Sequence, residues 1–169
     1  MASHAQALRI QPFRQPEPQP GWCGRTVDLV ERLHRRLQDL VKDELDRRGI
    51  LDINSVQALI LYHFNEESLA AGDLRSRGHY QGTNVSHNLK KLAACNYIDQ
   101  KRSSSDKRSI RLTLTAKGES VRDALQALFC RHDRTIGASG DMPSEAMAEL
   151  NQMMGRLERF WVDQVRFQL

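Results

Sequence analysis

The chain is poor in cysteine, in proline and in long apolar runs. Its three cysteines, Cys23, Cys95 and Cys130, are too few and too odd in number for a disulfide framework, which fits a reducing cytoplasm. Five prolines and ten glycines among 169 residues exclude collagen-like and low-complexity architectures. No apolar run approaches the roughly 18 residues that cross a bilayer, so no membrane association is expected. The opening MASHAQALRIQPF lacks the apolar centre of a secretion signal. GxSxG, HExxH, P-loop and dinucleotide signatures are missing, and no CxxC or HxxxH pair offers a metal two ligands. The expectation is a cytoplasmic protein that is not an enzyme and carries neither metal nor cofactor.

What is present is enough apolar residue to bury a core, 40% of the chain against 27% charged. The net charge is +4, unevenly spread. Between Gly78 and Gly118 stand Lys90, Lys91, Lys101, Arg102, Lys107, Arg108, Arg111 and Lys117 against Asp99 and Asp106 alone. Such clustering marks a face that binds a polyanion, although a solvated face has the same composition.

Residues 1–24 read as a flexible tail, with Pro12, Pro16, Pro18 and Pro20 favouring extended backbone. Val30, Leu33, Leu37 and Leu40 then recur at helical steps, predicting an amphipathic helix over 25–49 that is capped by Thr26 and ended by Gly49. Asn54 caps a second, largely apolar helix from Val56 to Phe64. A short third helix fits Ala71 to Arg77. A fourth runs from Thr83 to Cys95 with Val85, Leu89 and Leu92 on one face, and Asn96 stands at the left-handed position after it. YIDQKR and SIRLTLT alternate with a period of two around the polar SSSDKR, which predicts a hairpin. Thr115 caps a fifth helix that lasts until Gly137, and IGASGDM is a loop. Pro143 opens a last helix, in which Met147, Leu150, Met154, Leu157 and Trp161 share a face that Phe160 and Phe167 extend.

A short helix, a tight turn, a polar-faced helix and a basic hairpin suit DNA. With Val85, Leu89 and Leu92 turned inward, Asn84, Ser86, His87, Lys90 and Lys91 face out, toward the base edges and phosphates of a major groove. Lys107 and Arg108, at the hairpin tip, can enter the adjoining minor groove, where negative potential is concentrated. The apolar stripes of the first and last helices exceed what one small domain covers, which favours a two-fold homodimer.

The segment SLAAGDLRSRGHYQGTNVSHNLKKLAACNYI, followed by SSDKRSIRLTLTAKG, resembles the winged helix-turn-helix core of the MarR family of transcription regulators. The match includes Asp106-Lys107-Arg108 as the D-x-R wing element, Leu114-Thr115-Ala116-Lys117-Gly118 as L-T-x-x-G, and Leu74, Val85, Leu89 and Leu92 at core positions. It extends over about residues 26–169. The resemblance implies a mainly α fold with a small β-hairpin wing, a DNA-binding domain at 50–118 and dimerisation helices at 25–49 and 119–169. It further implies a regulator, taken as a repressor, that binds double-stranded DNA as a homodimer. Ser86 and His87 would touch base edges; Thr83, Asn84, Lys90 and Lys91 would position phosphates. Arg108 would enter the minor groove and Asp106 would brace the wing. A small-molecule effector would lie near Tyr62, His63 and Phe64, residues that also read as core. Asn96 and Tyr97 replace the family's glycine and aliphatic residue, and His87 stands where arginine is frequent. Two other readings fit the same residues: a helical module binding an acidic protein, and an architectural DNA binder without sequence preference. The resemblance also implies a redox switch at Cys23, Cys95 or Cys130 as an alternative, but the cysteines read rather as inert, because neither Cys95 nor Cys130 has a clear thiolate-stabilising pattern.

Overall fold

The computed structural model describes residues 22–64, 69–70, 83–102, 110–140 and 142–167. The proline-rich tail, the expected helix at Ala71–Arg77, the GHYQG turn and the hairpin tip lie outside the described residues. Contacts divide the chain into residues 1–38 and 39–169.

In the first unit, helix α1 (Trp22–Arg47) begins and runs on past the boundary. Thr26 is therefore an interior helical residue, not the cap. Gly24 and Arg25 do not stop propagation toward the amino terminus, since one glycine costs a helix only about 1 kcal/mol. The stripe on this stretch is open to solvent: Val27, Leu29, Leu33 and Leu37 are 36% to 51% exposed.

The second unit holds the core. Val41 and Leu45 enter it from the end of α1. That helix stops as Gly49 takes a φ of 69°, with the Gly49 N–H donating to the Asp46 carbonyl and the Ile50 N–H to that of Leu45, both at 3.0 Å. This 6→1 and 5→2 pair satisfies the last carbonyls. Helix α2 (Ser55–Tyr62) buries Ala58, Ile60 and Leu61, and α3 (Thr83–Ala94) buries Val85, Leu89 and Leu92. Strands β2 (Ile98–Arg102) and β3 (Ile110–Leu114) pair antiparallel from Ile98 opposite Leu114 to Arg102 opposite Ile110. Helix α4 (Ala116–Ser139) packs on α2 through Val121, Leu125 and Leu128, and α5 (Ser144–Phe167) follows. The mainly helical chain with its antiparallel hairpin is the expected fold class.

Two further details differ from expectation. A third strand, β1 (Leu69–Ala70), pairs with β3 on the side away from β2, giving the order β1-β3-β2. A strand of two residues is too short to show a period. Helix α4 also passes Gly137 and ends where Gly140 turns left-handed at φ 73°, so the loop is shorter than expected.

Glu44 joins α1 to α4. The residue is 4% exposed, and its carboxylate meets Arg48 at 2.8 Å, Arg47 at 3.3 Å and Arg131 of α4 at 3.3 Å. Burial pushes this carboxyl up, but the Arg48 hydrogen bond and the three guanidinium charges outweigh it and hold it below its ordinary value. Helix α5 buries none of its residues; Met153, Met154, Phe160, Val162, Val165 and Phe167 are 43% to 71% exposed. Among the described residues no helix is long and apolar enough to cross a membrane.

Candidate nucleic-acid interface

Helix α3 has two chemically distinct sides. Val85, Leu89 and Leu92, at 2%, 6% and 0% exposure, fix one side in the core. Ser86, His87, Lys90 and Lys91 are exposed and fall on the opposite arc of a 3.6-residue helix. Thr83 and Asn84 form the first turn of α3. The structure thus brings six of the sequence-predicted residues onto one helix. The other three residues expected to meet DNA, Asp106, Lys107 and Arg108, belong to the connection between β2 and β3 and lie outside the described residues. Arg111, on β3 beside that connection, is exposed.

The carboxyl end of α3 is held by a polar tie around Asp52, a residue that the sequence did not single out. At its carboxyl end Asn96 is left-handed with φ 59°. The Asn96 N–H donates to the Ala93 carbonyl at 3.0 Å and the Tyr97 N–H to that of Leu92 at 2.9 Å. Tyr97 is thereby turned into the core, 1% exposed, while its hydroxyl donates to Asp52 Oδ1 at 2.6 Å. Lys117 Nζ donates to Asp52 Oδ2 at 2.7 Å and to the Cys95 carbonyl at 3.1 Å, and lies 4.0 Å from the centre of the Tyr97 ring. Lys117 was counted with the basic cluster, but its charge is committed to this tie. The Lys117 hydrogen bond, then that of Tyr97, holds the Asp52 carboxyl below its ordinary value, and Asp52 in turn raises Lys117.

The L-T-x-x-G segment acquires a physical reason here. Thr115 Oγ1 accepts from the Gly118 N–H at 3.2 Å, capping α4, and donates to the Asn96 carbonyl at 2.8 Å. The Thr115 N–H donates to the Tyr97 carbonyl at 3.1 Å. Gly118 passes so close to that carbonyl that a side chain would overlap it.

Near the middle of α3, Gln57 of α2 reaches across. This residue is 5% exposed; its Oε1 accepts from the Asn54 N–H at 3.1 Å and its Nε2 donates to Asn88 Oδ1 at 3.1 Å. Asn54 Oδ1 accepts from the Gln57 N–H at 2.9 Å, completing a capping box. The Asn54-x-x-Gln57 spacing is the sequence signal for the box, but nothing in the sequence ties it to Asn88.

Of the three expected effector residues, Phe64 is 2% exposed within the core. Tyr62 is half-buried, edge-on to Phe129 at 5.0 Å and to His63 at 5.5 Å. His63 caps the end of α2.

A helix with a buried apolar side and an exposed basic-polar side, next to a short sheet, defines a winged-helix DNA-binding domain. A family model for that domain matches residues 53–118. The exopolysaccharide II synthesis transcriptional activator ExpG of Rhizobium meliloti is 36% identical over 139 residues, 82% of this chain and 71% of that one. Among solved structures, a MarR family transcription regulator is similar with a TM-score of 0.67 at 19% identity, covering 86% of this chain and 93% of the other. The S. aureus MepR–DNA complex has a TM-score of 0.63 at 20% identity, with 78% and 97% covered. The chain belongs to the MarR family of winged-helix transcriptional regulators, and is a regulator and not an enzyme.

Proposed function

We propose that this regulator binds a pseudo-palindromic operator in double-stranded DNA, sequence-specifically and as a homodimer. The observation that carries the reading is the two-sided chemistry of α3, with Val85, Leu89 and Leu92 buried and Ser86, His87, Lys90 and Lys91 exposed. Laid in a major groove about 12 Å wide, the helix offers Ser86 and His87 to base edges. Thr83, Asn84, Lys90 and Lys91 meet phosphates and set the register. Arg108 enters the minor groove beside Lys107, and Asp106 braces the wing. The similar MepR structure is a complex with DNA, which supports the reading. The exposed apolar stripes on α1 and α5 support self-association, which assigns 25–49 and 119–169 to the dimer and 50–118 to DNA. A cytoplasmic location, with access to DNA, belongs to the same reading.

Selection of bound duplexes from a random pool tests it. The expected result is a palindrome whose half-sites lie about one helical turn apart, with log affinity falling linearly as log salt rises. A pool that stays random with the same salt slope leaves an architectural binder. No duplex binding leaves a protein-interaction module.

The sign of regulation depends on where the operator lies. An operator overlapping a promoter gives repression by excluding polymerase. Activation is the second reading, favoured by the likeness to ExpG, a named activator. A reporter driven from the selected operator separates the two by whether deleting the regulator raises or lowers expression. A small-molecule effector would meet Tyr62 and His63, which keep some exposure, more readily than the buried Phe64. Its test is whether a bound compound shifts both thermal stability and operator affinity.

A further inference from the structure

Apolar contacts hold α3 against the core, but such contacts have no directional preference and resist rotation of a helix about its own axis only weakly. A hydrogen bond at the border of the buried arc does resist it. Asn88 occupies that border, half-buried between the core residue Leu92 and the exposed Lys91 on the helical surface. Its partner has no freedom of its own. The Gln57 side chain is almost wholly buried, and its Oε1 is taken by the Asn54 N–H. A backbone donor on one side leaves Nε2 facing the other way, toward Asn88 Oδ1 at 3.1 Å. The amino-terminal cap of α2 and the azimuth of α3 therefore share one amide.

We infer that Gln57 and Asn88 form a clasp that fixes the rotation of α3, making Gln57 a positioning residue for base discrimination. The inference rests on the proposed DNA-reading role of α3. A rotation of about 10° moves side-chain tips roughly 5–6 Å from the axis by about 1 Å, twice the tolerance of about 0.5 Å that a preorganised site allows. Hydrogen bonds to base edges fail at that displacement, whereas phosphate attraction hardly changes. Loss of the clasp thus lowers the preference for the right sequence more than it lowers affinity for any sequence.

The experiment measures affinity for the selected operator and for a scrambled duplex of equal length, over a salt series, for the full chain. Gln57→Met keeps the shape and removes both hydrogen bonds. It is expected to reduce the operator-to-scrambled ratio roughly tenfold, with scrambled affinity and salt slope within about twofold of wild type. Asn54→Ala weakens the same cap but keeps the clasp, and its ratio is expected to stay within about twofold. Asn88→Ala opens the clasp from the half-exposed side with α2 intact, and should match Gln57→Met. The double variant should be no worse than either single one, because both remove the same bond. The inference is overturned if Gln57→Met or Asn88→Ala keeps the wild-type ratio, if Asn54→Ala lowers it as far, or if the two losses add. A wild-type protein without any preference overturns the operator reading itself, and the clasp with it.

Discussion

Gly118 is required for what it lacks. Any side chain there overlaps the carbonyl oxygen of Tyr97, which is backbone and already receives the Thr115 N–H at 3.1 Å. Gly118→Ala is expected to destabilise the protein by about 1–3 kcal/mol, as other overpacking changes do, read as a lower urea midpoint at unchanged slope. An unchanged midpoint contradicts the close approach. Asp52 gives a pH-dependent counterpart. A carboxyl with a folded pKa below its unfolded value contributes its full stabilisation above the unfolded value, and loses it as pH falls through the folded one. Asp52 and Glu44 are both lowered, from ordinary values of 3.8 and 4.5, so the loss begins as pH drops below about 4.5 and continues downward. Urea unfolding between pH 3 and 7 should show that acid limb in the wild type and a shallower one in Asp52→Asn, which cannot titrate. Equal slopes would remove Asp52 from the tie. The pattern around Thr115 and Gly118 was visible in the sequence, but its reason was not. Asp52, Tyr97 and Lys117 are 45 and 20 residues apart along the chain, and only folding brings them together.

At the scale of elements, helix ends were more legible than their exact positions. Asn96 was read correctly as left-handed, because asparagine there follows the last apolar step of α3 at Leu92. The end of α4 was not, because two glycines compete for it and local sequence does not choose between them. Gly137 lies inside the helix with open space around it, whereas Gly140 carries the positive φ of 73°. The two should respond oppositely to alanine. Gly137→Ala is expected to stabilise by about 0.5–1 kcal/mol through helix propensity. Gly140→Ala is expected to destabilise by about 1–2 kcal/mol, the cost of a left-handed residue with a Cβ. Thermal unfolding of the two variants decides it: two shifts of the same sign would mean that α4 ends elsewhere. The polar arc of α3 was legible too, since Val85, Leu89 and Leu92 fix which side is inward. The rotational setting through Gln57 was not, because an Asn on a helix flank reads equally as solvent-facing.

For the whole molecule, the unanswered quantity is apolar area. Helix α5 contributes nothing to the core, although it carries two methionines, two phenylalanines and a tryptophan between Met153 and Phe167. Phe160 is 56% exposed, Met154 43% and Val165 71%. Soluble monomers rarely leave a contiguous stripe of that kind open, and burying a side chain of this size stabilises by roughly 1.5–3 kcal/mol. On the proposed homodimer, several such residues would be buried together and offset the cost of association. Sedimentation velocity should then give twice the chain mass of 19.4 kDa at micromolar concentration. Phe160→Glu, which places a charge on the stripe at a residue 56% exposed, should shift the population toward monomer. Because one chain supplies one recognition helix, the monomer should bind a single half-site at reduced affinity and lose its preference for the palindrome over that half-site. A wild-type chain that sediments as a monomer at tens of micromolar, or a Phe160→Glu variant that stays dimeric, would mean that α5 is not the surface that pairs the two reading heads.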